Sequence, residues 1–161
     1  MKYPHRLKAD LVKSAALRAA DIIMGMGYTG EYGSIHLLSL NIQTNTLTAI
    51  LHNLIAWQIS ELDTRWKFHP RGGGTPDLTN EDGEGIQVKV TSDKQVKGNK
   101  VSKNEGYYII VKYTRDTSTY IVTIKWILEG QLYTSDWNRP DGTQMAILKR
   151  EAVIRLRQVY P

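Results

Sequence analysis

The 161-residue chain contains no cysteine, which excludes disulfide bonds and thiolate metal sites. Its four histidines are scattered and do not have the spacing of a zinc site. No apolar run approaches the roughly 20 residues that a membrane helix needs, and the N-terminus lacks the apolar region of a signal peptide. We therefore expect a cytoplasmic protein with no membrane segment.

Basic residues outnumber acidic residues in an otherwise ordinary composition. Lysine and arginine total 21 against 16 aspartates and glutamates, which gives a formal charge of +5. A positive excess of this kind favours polyanionic partners such as nucleic acid, through phosphate contacts and the release of counterions. Hydrophobic residues make up 41%, as is typical of globular proteins, and we expect one folded domain over residues 1–161.

Helical periodicity marks three segments. Apolar residues recur at helical spacing over residues 6–26, and two glycines indicate where that helix ends. A second helix is predicted from the polar stretch at residues 41–46 to about Leu62. Helix-forming residues predict a third helix over residues 150–160.

Strand patterns mark several further segments. Residues 64–68 are predicted to form a short strand, and the continuous apolar run at residues 107–113 is typical of a central strand covered on both faces. Residues 120–128 alternate, and Glu129-Gly130 predicts a turn into a further strand at residues 131–134. Together with the helices, these strands predict an α/β or α+β fold with a central mixed β-sheet flanked by helices.

The most informative stretch is residues 71–89, RGGGTPDLTNEDGEGIQVK. The dipeptide Asp82-Gly83 predicts a tight hairpin, because both residue types tolerate the positive φ that such turns need. The residues that follow alternate, so Gln87 and Lys89 share the strand face that points away from the core. The hairpin is expected to fold Asp77 back toward them.

A carboxylate, an amide oxygen and an ammonium group would then meet at one edge of the sheet. Magnesium takes oxygen ligands and keeps several waters, so one or two protein oxygens together with phosphate oxygens suit it. A lysine beside the ion can hold the attacking water or the phosphate being cut, where negative charge develops. The pattern therefore predicts a nuclease active site.

The order Pro76-Asp77, a spacer, and then Gln87-Val88-Lys89 resembles the signature of the PD-(D/E)XK nucleases. That superfamily includes many type II restriction endonucleases, Holliday-junction resolvases and repair nucleases. The resemblance implies a restriction-endonuclease-like core, a metal-binding aspartate at Asp77, a second metal ligand at Gln87 and a catalytic lysine at Lys89. Glutamine in place of the usual Asp or Glu resembles the variant found in Mrr-like restriction nucleases.

Several relatives in this superfamily have an extra acidic residue N-terminal to the core motif. Glu61, at the end of the second predicted helix, is our first candidate for such a metal ligand and catalytic residue. Glu31, in a glycine-punctuated loop, and Glu84, in the hairpin, are alternatives. Each is also consistent with an ordinary surface glutamate.

Basic and amide side chains near the motif are predicted to contact DNA. Arginine and lysine bind phosphates, and asparagine and lysine can also contact base edges. One candidate lies beside three consecutive glycines, most lie in the loop after the motif strand, and one lies in a later loop. The predicted DNA-binding residues are Arg71, Lys94, Lys97, Lys100, Lys103, Asn104 and Arg139.

These features predict a Mg²⁺-dependent endodeoxyribonuclease, most like a small type II restriction endonuclease that cuts a short specific site in double-stranded DNA. No small-molecule cofactor is expected. A symmetric site would call for a homodimer, since a two-fold axis in the protein matches palindromic DNA. The alternatives are a structure-selective nuclease of the resolvase or repair type, and a non-catalytic DNA-binding domain.

Overall fold

Three helices account for the α-helical part of the described chain. The structure is a computed structural model that describes residues 7–70, 75–98, 105–139 and 145–161. None of the helices in these ranges has the length and apolar character needed to cross a membrane. The helices are α1 (Ala9–Gly25), α2 (Thr44–Leu62) and α3 (Arg150–Arg155).

The predicted apolar stripe of the first helix is confirmed. One face of α1 is buried through Val12, Ala15, Ala16, Ala19, Ala20 and Ile23. The small alanine side chains let α1 lie close to its neighbours, which are α2 and the sheet. Both long helices therefore bury one side against the same core.

The described residues form eleven strands. β1 and β2 form a separate exposed hairpin, β6, β9 and β10 form a small sheet, and the other six form the central sheet. In chain order they are β1 (Gly27–Gly30), β2 (Gly33–His36), β3 (Lys67–Phe68), β4 (Leu78–Thr79), β5 (Gly85–Thr91), β6 (Lys97–Gly98), β7 (Gly106–Asp116), β8 (Ile121–Leu132), β9 (Trp137–Asn138), β10 (Ala146–Leu148) and β11 (Arg157–Tyr160).

The central sheet is mixed. Its strand order is β11–β8–β7–β5–β4–β3, in which β5 and β7 run parallel and every other neighbouring pair is antiparallel. Helices α1 and α2 pack on one face, whereas α3 and the small sheet contribute to the core on the other face. This α+β architecture confirms the predicted mixed sheet flanked by helices.

Strand β7 lies at the centre of the sheet and is covered on both faces. Tyr107, Ile109 and Val111 belong to the core under the long helices, whereas Tyr108 and Ile110 belong to the core on the opposite face. Successive side chains of a strand point to opposite faces, so a continuous apolar run fits a strand in this position. The prediction of a central strand is confirmed.

Strands β4 and β5 form the predicted hairpin. Leu78 pairs with Ile86 and Thr79 pairs with Gly85, and the turn between them contains Gly83 with a φ of 76°. A φ in this range favours glycine. Because β4 has two residues and β5 has seven, β4 covers only the first part of the edge of β5.

Two predicted strand boundaries are wrong. The strand expected at residues 64–68 is confined to β3, because Asp63 accepts hydrogen bonds from the backbone and guanidinium of Arg65 and holds the preceding residues in a turn. The turn expected at Glu129-Gly130 is absent, and β8 continues through it. Gly130 instead leaves room for Leu156, whose side chain would lie 2.9 Å from an added Cβ.

The terminal helix predicted for residues 150–160 is also wrong beyond its first half. Helix α3 ends at Arg155, and the chain then forms β11, in which Arg157 pairs with Glu129 of β8. The Arg157 guanidinium also forms an ion pair with the Glu129 carboxylate. This non-local pairing outweighs the local helix propensity of the segment.

We expect Arg157→Ala to destabilise the fold. The side chain of Glu129 is 0% exposed, so the substitution would leave a buried carboxylate without this cationic partner. Losing one partner of a buried ion pair typically costs about 3–5 kcal/mol in the free energy of unfolding, and partial exposure of Arg157 favours the lower end. Urea unfolding measures the change.

A matched control is Arg150→Ala, because Arg150 is exposed on α3. This control should change the free energy of unfolding by about 0.5 kcal/mol or less. Equal unfolding curves for the two variants would contradict the structural role of the Arg157 pair.

Candidate active site

Asp77 fills the open edge of β5. Its carboxylate Oδ2 accepts a hydrogen bond from the backbone N–H of Val88 at 2.7 Å, and its backbone carbonyl accepts one from the N–H of His69 at 2.9 Å. The carboxylate thus takes the place that a carbonyl of a neighbouring strand would have. Val88 lies between Gln87 and Lys89, so the hairpin brings Asp77 to the strand segment that contains both.

Pro76 reaches this position because residue 85 is a glycine. A Cβ added at Gly85 would lie 2.5 Å from Cγ of Pro76, a distance that real Cβ atoms do not reach. The proline ring is rigid and joined to the backbone, so it could not move aside without moving Asp77. The glycine at the start of β5 therefore helps to set the position of the carboxylate.

His52 contacts the same carboxylate from α2. Its Nε2 lies 3.2 Å from Oδ2 of Asp77, and its Nδ1 lies 3.0 Å from Oδ1 of Asn53. Sequence reasoning missed this residue. The available signal was a histidine at helical spacing from the buried Ile55 and Ile59, since a polar residue aligned with such a stripe faces the sheet.

The pKa of His52 is raised above its ordinary value. Burial is the largest influence and lowers this pKa, but the hydrogen bond and negative charge of Asp77 outweigh it, with help from Asn53. The positive charge of Lys89 acts in the lowering direction. His52, Asp77 and Lys89 are therefore one electrostatic group.

Gln87 and Lys89 lie on the sheet face opposite the long helices. They alternate with the buried Ile86 and Val88, and both are half-buried. Burial lowers the pKa of Lys89, and the charge of Asp77 opposes that change. A half-buried ammonium interacts with nearby negative charge more strongly than an exposed one does.

Tyr108 forms the buried side of this group. In the parallel pairing of β5 and β7 it is the partner of Gln87, and its ring packs against Trp137. Burial raises its pKa to about 12, and the charge of Asp77 adds to the change. Asp77 thus lies where His52 approaches from the helix side and Tyr108 from the other face of the sheet.

The structure does not bring any of the candidate glutamates to Asp77. Within the described ranges, no three His, Cys, Asp or Glu side chains form a cluster that could hold a metal ion. Because His52 already contacts Asp77, a nearby glutamate would complete such a cluster. Glu61 is exposed and lies nine residues after His52, about 13 Å along the helix axis.

The other two glutamates have different surroundings. Glu31 is exposed at the turn between β1 and β2. Glu84 is 4% exposed and accepts a 2.6 Å hydrogen bond from the side chain of Asn80. This bond stabilises the hairpin turn, since Asn80 also accepts a hydrogen bond from the backbone N–H of Glu84.

The predicted DNA-binding residues are only partly covered by the structure. Lys94 and Arg139 are exposed, and Lys97 is exposed in a 2.6 Å ion pair with Asp93. Four of the predicted residues lie outside the described ranges, namely Arg71, Lys100, Lys103 and Asn104. The interaction with Asp93 offsets the charge that Lys97 would offer to a phosphate.

The oxygens at this edge suit a hard divalent cation. The hydrogen bond from Val88 and the ion pair with His52 both involve Oδ2 of Asp77, and Oδ1 accepts no hydrogen bond from the residues that the structure describes. Oδ1 and the amide oxygen of Gln87 are the kind of ligand that Mg²⁺ takes while keeping several waters. The donor set therefore fits Mg²⁺ better than a thiophilic metal.

No protein-family model matches the chain, and no curated protein matches it significantly. Function therefore has to be inferred from the residues and their geometry.

We expect His52 to titrate above its ordinary pKa of 6.5 in the folded protein. Asp77→Asn should move its pKa below that value, because the burial that remains disfavours the charged ring. NMR titration of the His52 C2 proton measures both values. An Asp77→Asn variant whose His52 titrates as in the parent would contradict the pairing.

The raised pKa of His52 also makes the stability of the fold depend on pH. A folded-state pKa above the unfolded value means that protonated His52 stabilises the fold, fully below pH 6.5. This contribution is lost as the pH rises through the folded-state pKa.

Proposed function

We propose that this protein is a Mg²⁺-dependent endodeoxyribonuclease that hydrolyses phosphodiester bonds in double-stranded DNA. The observation that supports it most is the 2.7 Å hydrogen bond between Asp77 Oδ2 and the N–H of Val88. This bond puts a carboxylate at the strand segment that contains Gln87 and Lys89. An acid, an amide and a lysine in this arrangement are what the resemblance to PD-(D/E)XK nucleases implies.

Asp77 and Gln87 would hold the metal ion. Oδ1 of Asp77 accepts no hydrogen bond from the described residues and would face the ion, and the amide of Gln87 would supply a second, neutral oxygen. When bound, Mg²⁺ supplies positive charge that polarises a phosphate and lowers the pKa of a bound water. The remaining positions around the ion would be taken by waters and by phosphate oxygens of DNA.

Lys89 would act on the reacting phosphate. Lys89 is half-buried and its charge interacts with that of Asp77, and the lower dielectric of such a position strengthens its attraction for negative charge. In phosphodiester hydrolysis, a water oxygen bonds to phosphorus and gives up a proton to solvent, while the bond to the sugar oxygen breaks and that oxygen takes up a proton from solvent; negative charge builds on the phosphate oxygens in between. A lysine held against such an oxygen stabilises that charge more than it stabilises the substrate.

The finer parts of the proposal concern the substrate and the assembly. The excess of 21 basic over 16 acidic residues favours a polyanion such as DNA. We propose that the protein is a type II restriction endonuclease that acts as a homodimer on a short palindromic site. A structure-selective nuclease of the resolvase or repair type would use the same site on branched DNA.

One observation favours a second candidate function. In the described part of the chain, no further His, Cys, Asp or Glu side chain joins Asp77 and His52 in a cluster that could hold a metal ion, and Gln87 carries no charge. A neutral amide attracts Mg²⁺ less than a carboxylate does. A non-catalytic DNA-binding domain would retain the fold and the basic surface but would show no metal-dependent turnover.

The test is cleavage of unmethylated plasmid DNA with and without Mg²⁺. We expect the parent to cut only with Mg²⁺, and Asp77→Ala and Lys89→Met to lose about 10²-fold or more in rate, as is typical when a group that stabilises transition-state charge is removed. The matched control is Lys125→Met, since Lys125 is an exposed lysine on β8. It should cut at the parent rate.

The products separate the candidate functions. Discrete fragments of plain plasmid support a restriction endonuclease, whereas selective cutting of branched DNA supports a resolvase or repair enzyme. DNA binding without turnover in the parent supports the non-catalytic domain. Full activity in Asp77→Ala or Lys89→Met would refute the site assignment.

A further inference from the structure

We propose that His52 is a positioning residue that fixes the carboxylate plane of Asp77, so that Oδ1 alone is turned to a divalent cation. The ion itself rests on the proposed function, whereas the contact between His52 and Asp77 does not. The proposal adds to the site a residue of α2 that is absent from the sequence motif.

Two groups contact the same oxygen of Asp77. Oδ2 of Asp77 lies 2.7 Å from the backbone nitrogen of Val88 and 3.2 Å from Nε2 of His52. A carboxylate held by one donor can still rotate, because the last side-chain torsion of aspartate has a broad, two-fold profile. The ion pair with His52 adds a second contact to the same oxygen, which restricts the rotation of the carboxylate and with it the direction of Oδ1.

The two groups that contact Oδ2 belong to different layers of the fold. Val88 is part of β5, and His52 is part of α2, which packs against that strand. The side chain of Asp77 is only 12% exposed, so solvent has little access to replace either donor. The orientation of the carboxylate therefore depends on the packing of α2 on the sheet.

The contacts of both ring nitrogens exclude a more direct role for His52. Nδ1 of His52 lies 3.0 Å from the side-chain oxygen of Asn53, and Nε2 contacts Asp77. With both ring nitrogens engaged, neither faces a water that it could activate as a general base. His52 thus acts through Asp77, in the way that hydrogen-bond partners orient metal ligands in other proteins.

The experiment measures Mn²⁺ affinity without DNA, by the electron paramagnetic resonance signal of free Mn²⁺. We expect His52→Ala to raise the Kd for Mn²⁺ about 10-fold or more, within the range found when partners of metal ligands are removed. His52→Gln should stay near the parent value, because the glutamine side-chain nitrogen can occupy the place of Nε2. Circular dichroism confirms that each variant is folded.

His69→Ala is the matched control. His69 lies on the same edge of the sheet, but its ring bonds to the hydroxyl of Thr79 at 2.7 Å, and alanine keeps the backbone N–H that holds Asp77. Its Kd for Mn²⁺ should equal that of the parent. Unchanged affinity in His52→Ala, or an equal loss in His69→Ala, would overturn the positioning role.

Cleavage assays then separate this inference from the proposed function. Saturating Mn²⁺ should restore cleavage in His52→Ala but not in Asp77→Ala, because only the latter lacks the ligand. A parent that binds Mn²⁺ through a His52-dependent site yet cuts no DNA retains the positioning role and refutes the nuclease. If the parent cuts DNA and His52→Ala binds Mn²⁺ normally, the nuclease is retained and the positioning role is refuted.

Discussion

A single charged hydrogen bond, from the backbone N–H of Val88 to the carboxylate of Asp77, organises the edge of the sheet where the candidate site lies. Hydrogen bonds to charged groups contribute about 1.5–3 kcal/mol, more than neutral ones. This bond is possible because β4 begins only at Leu78, directly after Asp77, and leaves the edge of β5 open beyond Ile86. It also requires Pro76 to pack against a residue without a side chain, which Gly85 provides.

The same carboxylate determines the electrostatics of its surroundings. Its charge affects the pKa values of His52, Lys89 and Tyr108, which approach it from two sides of the sheet. Under the proposed function, the single carboxylate of Asp77 would face two positively charged groups, namely a divalent ion and the ammonium of Lys89. Phosphate groups would add negative charge beside the ion, so DNA would strengthen the binding of an ion that Asp77 already holds. This charge balance explains how a site with a neutral Gln87 could still serve a phosphodiesterase.

Local sequence patterns predicted the parts of the fold that depend on local physics. The apolar stripe of α1, the hairpin at Asp82-Gly83 and the doubly covered strand β7 each follow from periodicity or turn chemistry. Non-local contacts decided the parts that were wrong. Helix propensity failed at Arg157 because that residue pairs with Glu129, and a glycine that suggests a turn proved to accommodate Leu156 within β8.

In the candidate site too, local patterns indicate some residues, whereas non-local packing decides the others. Asp77, Gln87 and Lys89 could be found from the sequence because a hairpin joins them within about a dozen residues. His52 was missed, because its helical spacing indicates only that it faces the sheet, and the packing of α2 brings it to Asp77 across 25 positions of the chain. Glu61 satisfied the sequence criteria, yet the same helix places it about 13 Å further along its axis.

The most direct measurement is an anomalous difference map from crystals soaked in Mn²⁺. We expect a peak bonded to Oδ1 of Asp77 and next to the side-chain oxygen of Gln87, with Oδ2 still on the N–H of Val88. A map without a peak at this edge, or with Mn²⁺ bound only elsewhere on the protein, would contradict the assignment of a metal site to Asp77.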